Sequence, residues 1–207
     1  MIAKAAPLPC TMKSVRQAPS LLERRMGHRI HTVCRFARVS SLGDEGLCRI
    51  CNLSDRGMMF KSDRRPDPGE KLSISLSENL TLEAVVVWSD SSHVGVRFTE
   101  PIDSTALLCA LANEQRSAGY RPLRLAVDGR ALAFDEAGVH PVKIRNVSRY
   151  GVGVEHSNRL RRGTAVKLVF ESGVERRGVV RWADQEQAGL FLIEPFTAGE
   201  LASARAF

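Results

Sequence analysis

The sequence has no long apolar segment. Its apolar runs, such as the valine-rich residues 84–88, fall far short of the roughly 20 residues that a membrane-spanning helix needs. The first ten residues contain a lysine and two prolines but no continuous apolar stretch, which argues against a secretory signal. We therefore expect the protein to act in the cytoplasm.

The sequence also lacks a disulfide framework, because its five cysteines are an odd number scattered along the chain. Cys48 and Cys51 form a single CxxC, but no second CxxC or HxxxH completes a set of four zinc ligands. The pair lies in a strand-like run, where positions three apart point to opposite faces. We interpret the two residues as packed thiols rather than as a metal or redox site, and we expect no metal or cofactor.

Motifs of common enzymes are missing as well. There is no Ser-His-Asp order, Walker loop or HExxH sequence, and the five histidines form no cluster. Aromatic residues make up only 6% of the chain, and no basic stripe is interleaved with them. We therefore expect no enzymatic activity, and specific nucleic-acid binding is disfavoured.

Positive charge is concentrated at the N-terminal end. Residues 1–38 contain eight lysines and arginines and one glutamate, so they carry the whole formal charge of +7. Such a segment indicates an anionic partner, and nucleic acid, a membrane surface and a phosphate-bearing small molecule all remain open. The simpler alternative is a solvated tail, and for residues 1–19 we expect a flexible basic tail.

An internal repeat organises the rest of the chain. Without gaps, residues 46–102 align with residues 140–196, an offset of 94 positions, and both tryptophans (Trp88 and Trp182) occupy the same repeat position. Further identical pairs are Asn52/Asn146, Ser54/Ser148, Gly57/Gly151, Gly69/Gly163, Gly95/Gly189 and Pro101/Pro195. We infer two copies of one fold, in residues 20–117 and 118–207.

Within each copy the pattern is β. Apolar and polar residues alternate in several short runs separated by turn residues, which predicts a small barrel. Both tryptophans end apolar strands, so we expect them in the barrel cores rather than as stacking platforms. After each Glu-Pro pair a short helix is expected, capped by Asp103 in the first copy and by the capping-box pair Thr197 and Glu200 in the second.

Two polar motifs stand out in the first copy. One is an RxxxR sequence formed by Arg25 and Arg29 and preceded by Arg24; the other is NxSxxG, at residues 52–57. An arginine fork binds a phosphate or the O6/N7 edge of guanine through two hydrogen bonds, and its flat face stacks on a purine. The asparagine and serine offer donors and acceptors to a guanine edge, and the glycine lets the backbone turn.

In this order the two motifs resemble those of the PilZ domain family, and the segment WSDSSHVGVRFTEP is similar to the family's closing strands. The resemblance implies a bacterial protein that is mainly β, with two tandem six-stranded barrels. It also implies a receptor for cyclic di-GMP that changes its conformation or its partner when the ligand binds. The ligand-binding residues that it implies are Arg24, Arg25, Arg29, Asn52, Ser54 and Gly57.

The second copy keeps NxSxxG but not the arginine run. In the ungapped alignment Gly119 and Leu123 stand where the first copy has Arg25 and Arg29. We interpret this copy as a degenerate module that packs against the first, self-associates or contacts a protein partner; nucleotide binding in another geometry stays open. Alternatives for the whole chain are a ligand-free scaffold whose basic arm contacts an acidic partner, and general nucleic-acid binding by that arm.

Overall fold

The computed structural model describes residues 30–31, 35–41, 43–157 and 159–207. This part of the chain is mainly β, with a single α-helix. None of its helices is long and apolar enough to cross a membrane. The predicted ligand residues Arg24, Arg25 and Arg29 lie outside the described residues.

The first repeat copy forms a closed barrel of six antiparallel strands, to which one further short strand is added. Its strands are β1 (Ile30–His31), β2 (Phe36–Ser41), β3 (Asp44–Ser54), β4 (Gly57–Lys61), β5 (Lys71–Ser77), β6 (Leu80–Ser89) and β7 (His93–Phe98). The barrel runs in the order β3-β2-β5-β6-β7-β4 and closes where β4 pairs with β3, while the short β1 also pairs with β3. Leu72, Ile74 and Leu76 on β5 are at most 2% exposed, as their alternation predicts.

The second copy repeats this architecture. Its strands are β8 (Leu125–Asp135), β9 (Gly138–Ser148), β10 (Gly151–Glu155), β11 (Ala165–Phe170), β12 (Glu175–Ala183) and β13 (Gln187–Leu192). They close in the order β10-β13-β12-β11-β8-β9, so that the long β8 takes the place of β1 and β2 together. The prediction of two tandem six-stranded barrels is confirmed.

The first barrel is followed by the predicted helix. Helix α1 (Ser104–Arg116) begins after Asp103, whose Oδ1 accepts a hydrogen bond from the backbone N–H of Ala106 at 2.9 Å. Leu111 is 4% exposed and packs into the core of this barrel. The apolar face of the helix therefore continues the barrel core.

The expectation of a short α-helix after the second barrel is wrong. Thr197 and Glu200 do form the reciprocal bonds of a capping box, at 2.8 Å and 3.3 Å, but the chain continues as a turn and a single 3₁₀ turn (Ala204–Ala206). The carbonyl of Leu201, which in a longer helix would accept the N–H of Arg205, accepts the N–H of Leu47 instead, at 2.7 Å. A contact with the first barrel has thus replaced helix propagation.

This contact joins the two barrels. Gly46 on β3 lies so close to the C-terminal segment that an added Cβ would be 2.0 Å from the carbonyl oxygen of Ala202. The side chain of Leu47 is 1% exposed and belongs to the core of the second barrel, although its strand belongs to the first. Nearby, the hydroxyl of Ser203 donates to the carboxylate of Asp44 at 3.0 Å. The two barrels share apolar and polar contacts at this junction.

We expect Leu47→Ala to lower the free energy of unfolding by about 2–5 kcal/mol, because it leaves a cavity in the second barrel. The measurement is urea unfolding followed by circular dichroism. The control is Val87→Ala in the first barrel, the barrel to which the strand of Leu47 belongs; its side chain is 52% exposed and its replacement should change stability by less than about 0.5 kcal/mol. Equal stability of the two variants would contradict the shared core.

Candidate functional site

The NxSxxG motif lies at the edge of a continuous outer surface of the first barrel. Asn52 on β3 is paired with Met59 on β4, Met59 with Gly95 on β7, and Gly95 with Trp88 on β6. Neighbouring strands are about 5 Å apart, so these four residues form one row across the barrel. A second row, two residues further along β3, brings Arg97 beside the motif.

This second row starts at Ser54, which is paired with Gly57, and Gly57 is paired with Arg97. Residues two apart on a strand point to the same side, so both rows face outward. We call the surface formed by Asn52, Ser54, Met59, Trp88 and Arg97 the first outer face. It brings together an amide, a hydroxyl, a cation and a large aromatic ring.

The position of the tryptophans corrects the expectation that they fill the barrel cores. Trp88 is 41% exposed and Trp182 is 44% exposed. Each indole lies over a glycine: an added Cβ would be 2.2 Å from Trp88 Nε1 at Gly95, and 2.1 Å from Trp182 Nε1 at Gly189. A β-bulge precedes each tryptophan and shifts the alternation, so the ring points outward.

Two residues of the motif hold the turn between β3 and β4. The hydroxyl of Ser54 donates to the carbonyl of Gly57 at 3.0 Å. In the second barrel the hydroxyl of Ser148 donates to the carbonyl of Gly151 at 3.3 Å. The shared bond shows why serine and glycine recur in both copies: they stabilise the same turn.

The turn is also fixed to helix α1. Asp55, inside the motif, accepts hydrogen bonds at its Oδ1 from the N–H and the hydroxyl of Ser104, at 3.1 Å and 2.6 Å. Its backbone carbonyl accepts the N–H of Ile102 at 2.8 Å. Ser104 is the first residue of the helix and is 1% exposed, so a displacement of the turn also displaces the start of α1.

Asn52 differs from its equivalent in the second barrel. Its Oδ1 is buried and has no hydrogen-bond partner among the described residues. The Oδ1 of Asn146 accepts a hydrogen bond from the guanidinium of Arg124 at 3.2 Å. A buried acceptor without a donor costs free energy, so the environment of Asn52 favours a donor that the described residues do not supply.

The strand pairing changes the comparison of the two arginine regions. Ile30 is paired with Leu53, whereas Leu125, not Arg124, is paired with the equivalent Val147. The first copy therefore has one more residue between this point and β2. When the alignment has a one-residue gap at this place in the second copy, Arg25 aligns with Tyr120 instead of Gly119, and Arg29 aligns with Arg124 instead of Leu123. The second copy thus keeps the second arginine of RxxxR.

The first outer face is cationic. Arg97 is exposed and Arg56, in the adjoining turn, is exposed as well, and neither makes an ion pair with any described residue. The sequence does not reveal Arg97 and Trp88 as neighbours of the motif, because only the pairing of β6, β7, β4 and β3 brings them to Asn52. The sequence signal that could have linked Trp88 to Gly95 is the repeat, because both residues recur in the second copy as Trp182 and Gly189.

The cysteine pair takes no part in this site. Cys48 lies in the core of the first barrel, 4% exposed, and burial raises the pKa of its thiol to about 12. Cys51 lies outside that core and is half-buried, so the two sulfurs are on opposite sides of the strand as predicted. No group of three potential metal ligands occurs within the described part of the chain.

The family comparison covers the first barrel. Residues 23–112 match the family model described as "PilZ domain". The match includes the RxxxR and NxSxxG motifs and every residue of the first outer face. The second barrel lies outside the matched residues.

Solved structures similar to this chain come from several bacteria. PlzA of Borreliella burgdorferi in complex with c-di-GMP is 11% identical, with 77% of this chain and 80% of that chain covered and a TM-score of 0.34. The inhibitor of motility of Bacillus subtilis is 10% identical over 84% and 94%, with a TM-score of 0.33. YcgR of Escherichia coli in complex with c-di-GMP is 8% identical over 77% and 76%, with a TM-score of 0.31. No curated protein matches the chain.

The two motif glycines offer a matched test of the turn. An added Cβ at Gly57 would lie 2.1 Å from the carbonyl oxygen of Val96, whereas at Gly151 its nearest neighbour is the hydroxyl of Ser148 at 3.1 Å. Gly57→Ala should therefore lower the free energy of unfolding by about 1–3 kcal/mol, because strand β7 must move. Gly151→Ala should cost less than about 1 kcal/mol. Equal losses in urea unfolding would contradict this difference.

Proposed function

We propose that this chain is a bacterial receptor for cyclic di-GMP that binds its ligand on the first outer face. The observation that carries the proposal is the row that joins Asn52 to Trp88, with Arg97 beside it. The PilZ match over residues 23–112 and the ligand named for PlzA and YcgR support the same reading. In this proposal residues 20–117 form the ligand-competent unit and residues 118–207 a second module.

The chemistry of the face suits a guanine nucleotide. The Oδ1 of Asn52 has no donor among the described residues, and a guanine edge presents N–H donors beside its O6 acceptor. Arg97 has no ion pair within the described residues, so its guanidinium is available to a phosphate. The half-exposed indole of Trp88 is a flat surface on which a purine stacks. Arg24, Arg25 and Arg29 are proposed to supply the remaining phosphate and guanine contacts.

The same contacts suggest how binding changes the protein. A ligand on Asn52 and Ser54 acts on the turn that Asp55 holds against Ser104, and so on the start of α1. Beyond the turn, Arg38 on β2 donates to the carbonyl of Arg124 at 3.2 Å, which links the first barrel to the second. We propose that ligand binding alters these contacts and thereby changes the binding of a protein partner, or self-association, through the second barrel. In this proposal the protein acts in the cytoplasm and catalyses no reaction.

Titration calorimetry of the full chain with cyclic di-GMP tests the proposal. Arg25→Ala and Arg29→Ala should each weaken binding by about 1–3 kcal/mol, or about 5- to 150-fold, because each removes a charge-assisted contact. Asn52→Ala should weaken binding as well. Asn146→Ala, the same change in the second barrel, is the control and should leave the affinity unchanged.

Two results would overturn the assignment. If Asn146→Ala abolishes binding and Arg25→Ala does not affect it, the ligand binds the second barrel and not the first. An absence of heat at about 50 μM ligand, with correctly folded protein, would end the proposal and favour a ligand-free interaction scaffold.

A further inference from the structure

The second barrel carries a different set of side chains on the surface that corresponds to the first outer face. The position of Arg56 is held by Tyr150, and the position of Arg97 is held by Phe191. Tyr150 is 44% exposed and Phe191 is 49% exposed. Together with Trp182, 44% exposed, they expose three aromatic rings where the first barrel has one ring and two arginines.

Two arginines accompany these rings. The guanidinium carbon of Arg149 lies 5.3 Å from the centre of the Tyr150 ring, and that of Arg181 lies 5.9 Å from the centre of the Phe191 ring. The rings of Tyr150 and Phe191 are parallel within 8°, with centres 6.1 Å apart. We call the surface formed by Arg149, Tyr150, Arg181, Trp182 and Phe191 the second outer face.

The charges on the second outer face are not neutralised within the described part of the protein. Neither Arg149 nor Arg181 makes an ion pair there, whereas the neighbouring Arg177 is paired with Glu194 at 2.6 Å. Residues 118–207 as a whole contain 14 basic and 10 acidic side chains, a formal charge of +4. A partner with negative charge is therefore favoured on electrostatic grounds.

The aromatic rings narrow the class of partner. A surface that alternates cations with half-exposed rings suits an anion that also presents flat apolar groups, which is the composition of nucleic acid with unpaired bases. The parallel rings of Tyr150 and Phe191 offer two stacking positions, and Arg149 and Arg181 offer two phosphate contacts. A single mononucleotide, with one base, would not occupy both stacking positions. Bases in a duplex are already stacked and paired, so a single strand fits better than a double one.

We infer that the second outer face binds single-stranded nucleic acid, with bases stacked on its rings and phosphates held by its two arginines. The sequence disfavours nucleic-acid binding because it shows no basic stripe interleaved with aromatics. The fold changes that picture. It gathers Arg149 and Tyr150 from the β9–β10 turn, Arg181 and Trp182 from β12, and Phe191 from β13. The site is distinct from the first outer face and does not rest on cyclic di-GMP binding.

The test uses the full chain and a fluorescein-labelled, single-stranded deoxythymidine 20-mer, followed by fluorescence anisotropy. Phe191→Ala and Tyr150→Ala should each weaken binding by about 5- to 150-fold, since each removes one stacking position. Phe191→Trp should keep binding, because it retains a flat ring. The control is Leu132→Ala, which removes an apolar side chain of similar exposure, 43%, from another strand of the same barrel.

A second pair of variants separates stacking from general electrostatic attraction. Arg181→Glu should weaken binding more than Arg65→Glu, which makes the same change in net charge at an exposed position of the first barrel. Binding should also be weaker for a 20-base-pair duplex than for the single strand. Cyclic di-GMP titration of Phe191→Ala should match that of the unmodified protein, so a failure of one proposal leaves the other standing.

Three outcomes would overturn the inference. Wild-type affinity in Phe191→Ala and Tyr150→Ala would show that the rings do not contact the strand. Equal loss in Arg181→Glu and Arg65→Glu would indicate charge alone. A monomer–dimer equilibrium in sedimentation that Phe191→Ala abolishes, without oligonucleotide binding in the unmodified protein, would assign the face to a second copy of the chain.

Discussion

The architecture depends on the close approach of Gly46 and Leu47 to the C-terminal segment. A glycine is required there, because the carbonyl of Ala202 occupies the space of a side chain. The approach lets the amide of Leu47 bond to Leu201 and places the Leu47 side chain in the core of the other barrel. The hairpin of β2 and β3 therefore serves two cores, and Phe36 on β2 reaches Arg149 at 5.3 Å in the NxSxxG turn of the second barrel.

Much of the fold follows from the sequence because barrel strands alternate between two environments. Leu168 and Phe170 on β11 are at most 2% exposed, as the pattern predicts, and Asp103 caps its helix because short-range bonds decide caps. Each of these features depends on residues that are close in sequence. Where a feature depends on distant segments, as with the helix replaced by the Leu201–Leu47 bond, local patterns do not predict it.

The candidate site is likewise predictable from the sequence only where its residues lie close together in the chain. Its motif residues Asn52, Ser54 and Gly57 are visible in the sequence, but their neighbours Arg97 and Trp88 come from strands whose register only the structure gives. Bulges are the physical reason. One extra residue in a strand reverses which side chains face outward, and this is how both tryptophans leave the core. The extra residue before β2 likewise hides the match between the two arginine regions in an ungapped comparison.

Comparison of the barrels separates residues that the fold requires from outward-facing residues that it leaves free to differ. The serine and glycine of NxSxxG, and the glycine under each tryptophan, recur because each solves the same steric problem twice. For this serine and these glycines, identity between the copies therefore reflects a structural role. The positions that differ on equivalent outward surfaces, above all Arg97 against Phe191, are free of that constraint because their side chains point to solvent.

Substitutions at such positions do not destabilise the barrel, so the residues found there indicate the chemistry that each surface suits. A cation at this position suits phosphate, and an aromatic ring suits a flat apolar group. The first barrel combines its cation with an Asn52 carbonyl that has no donor among the described residues. In the second barrel Arg124 already satisfies the equivalent carbonyl of Asn146. Among the described residues, the two faces thus differ in two ways: the Asn146 carbonyl has an arginine donor and the Asn52 carbonyl has none, and the second face exposes three aromatic rings where the first exposes one.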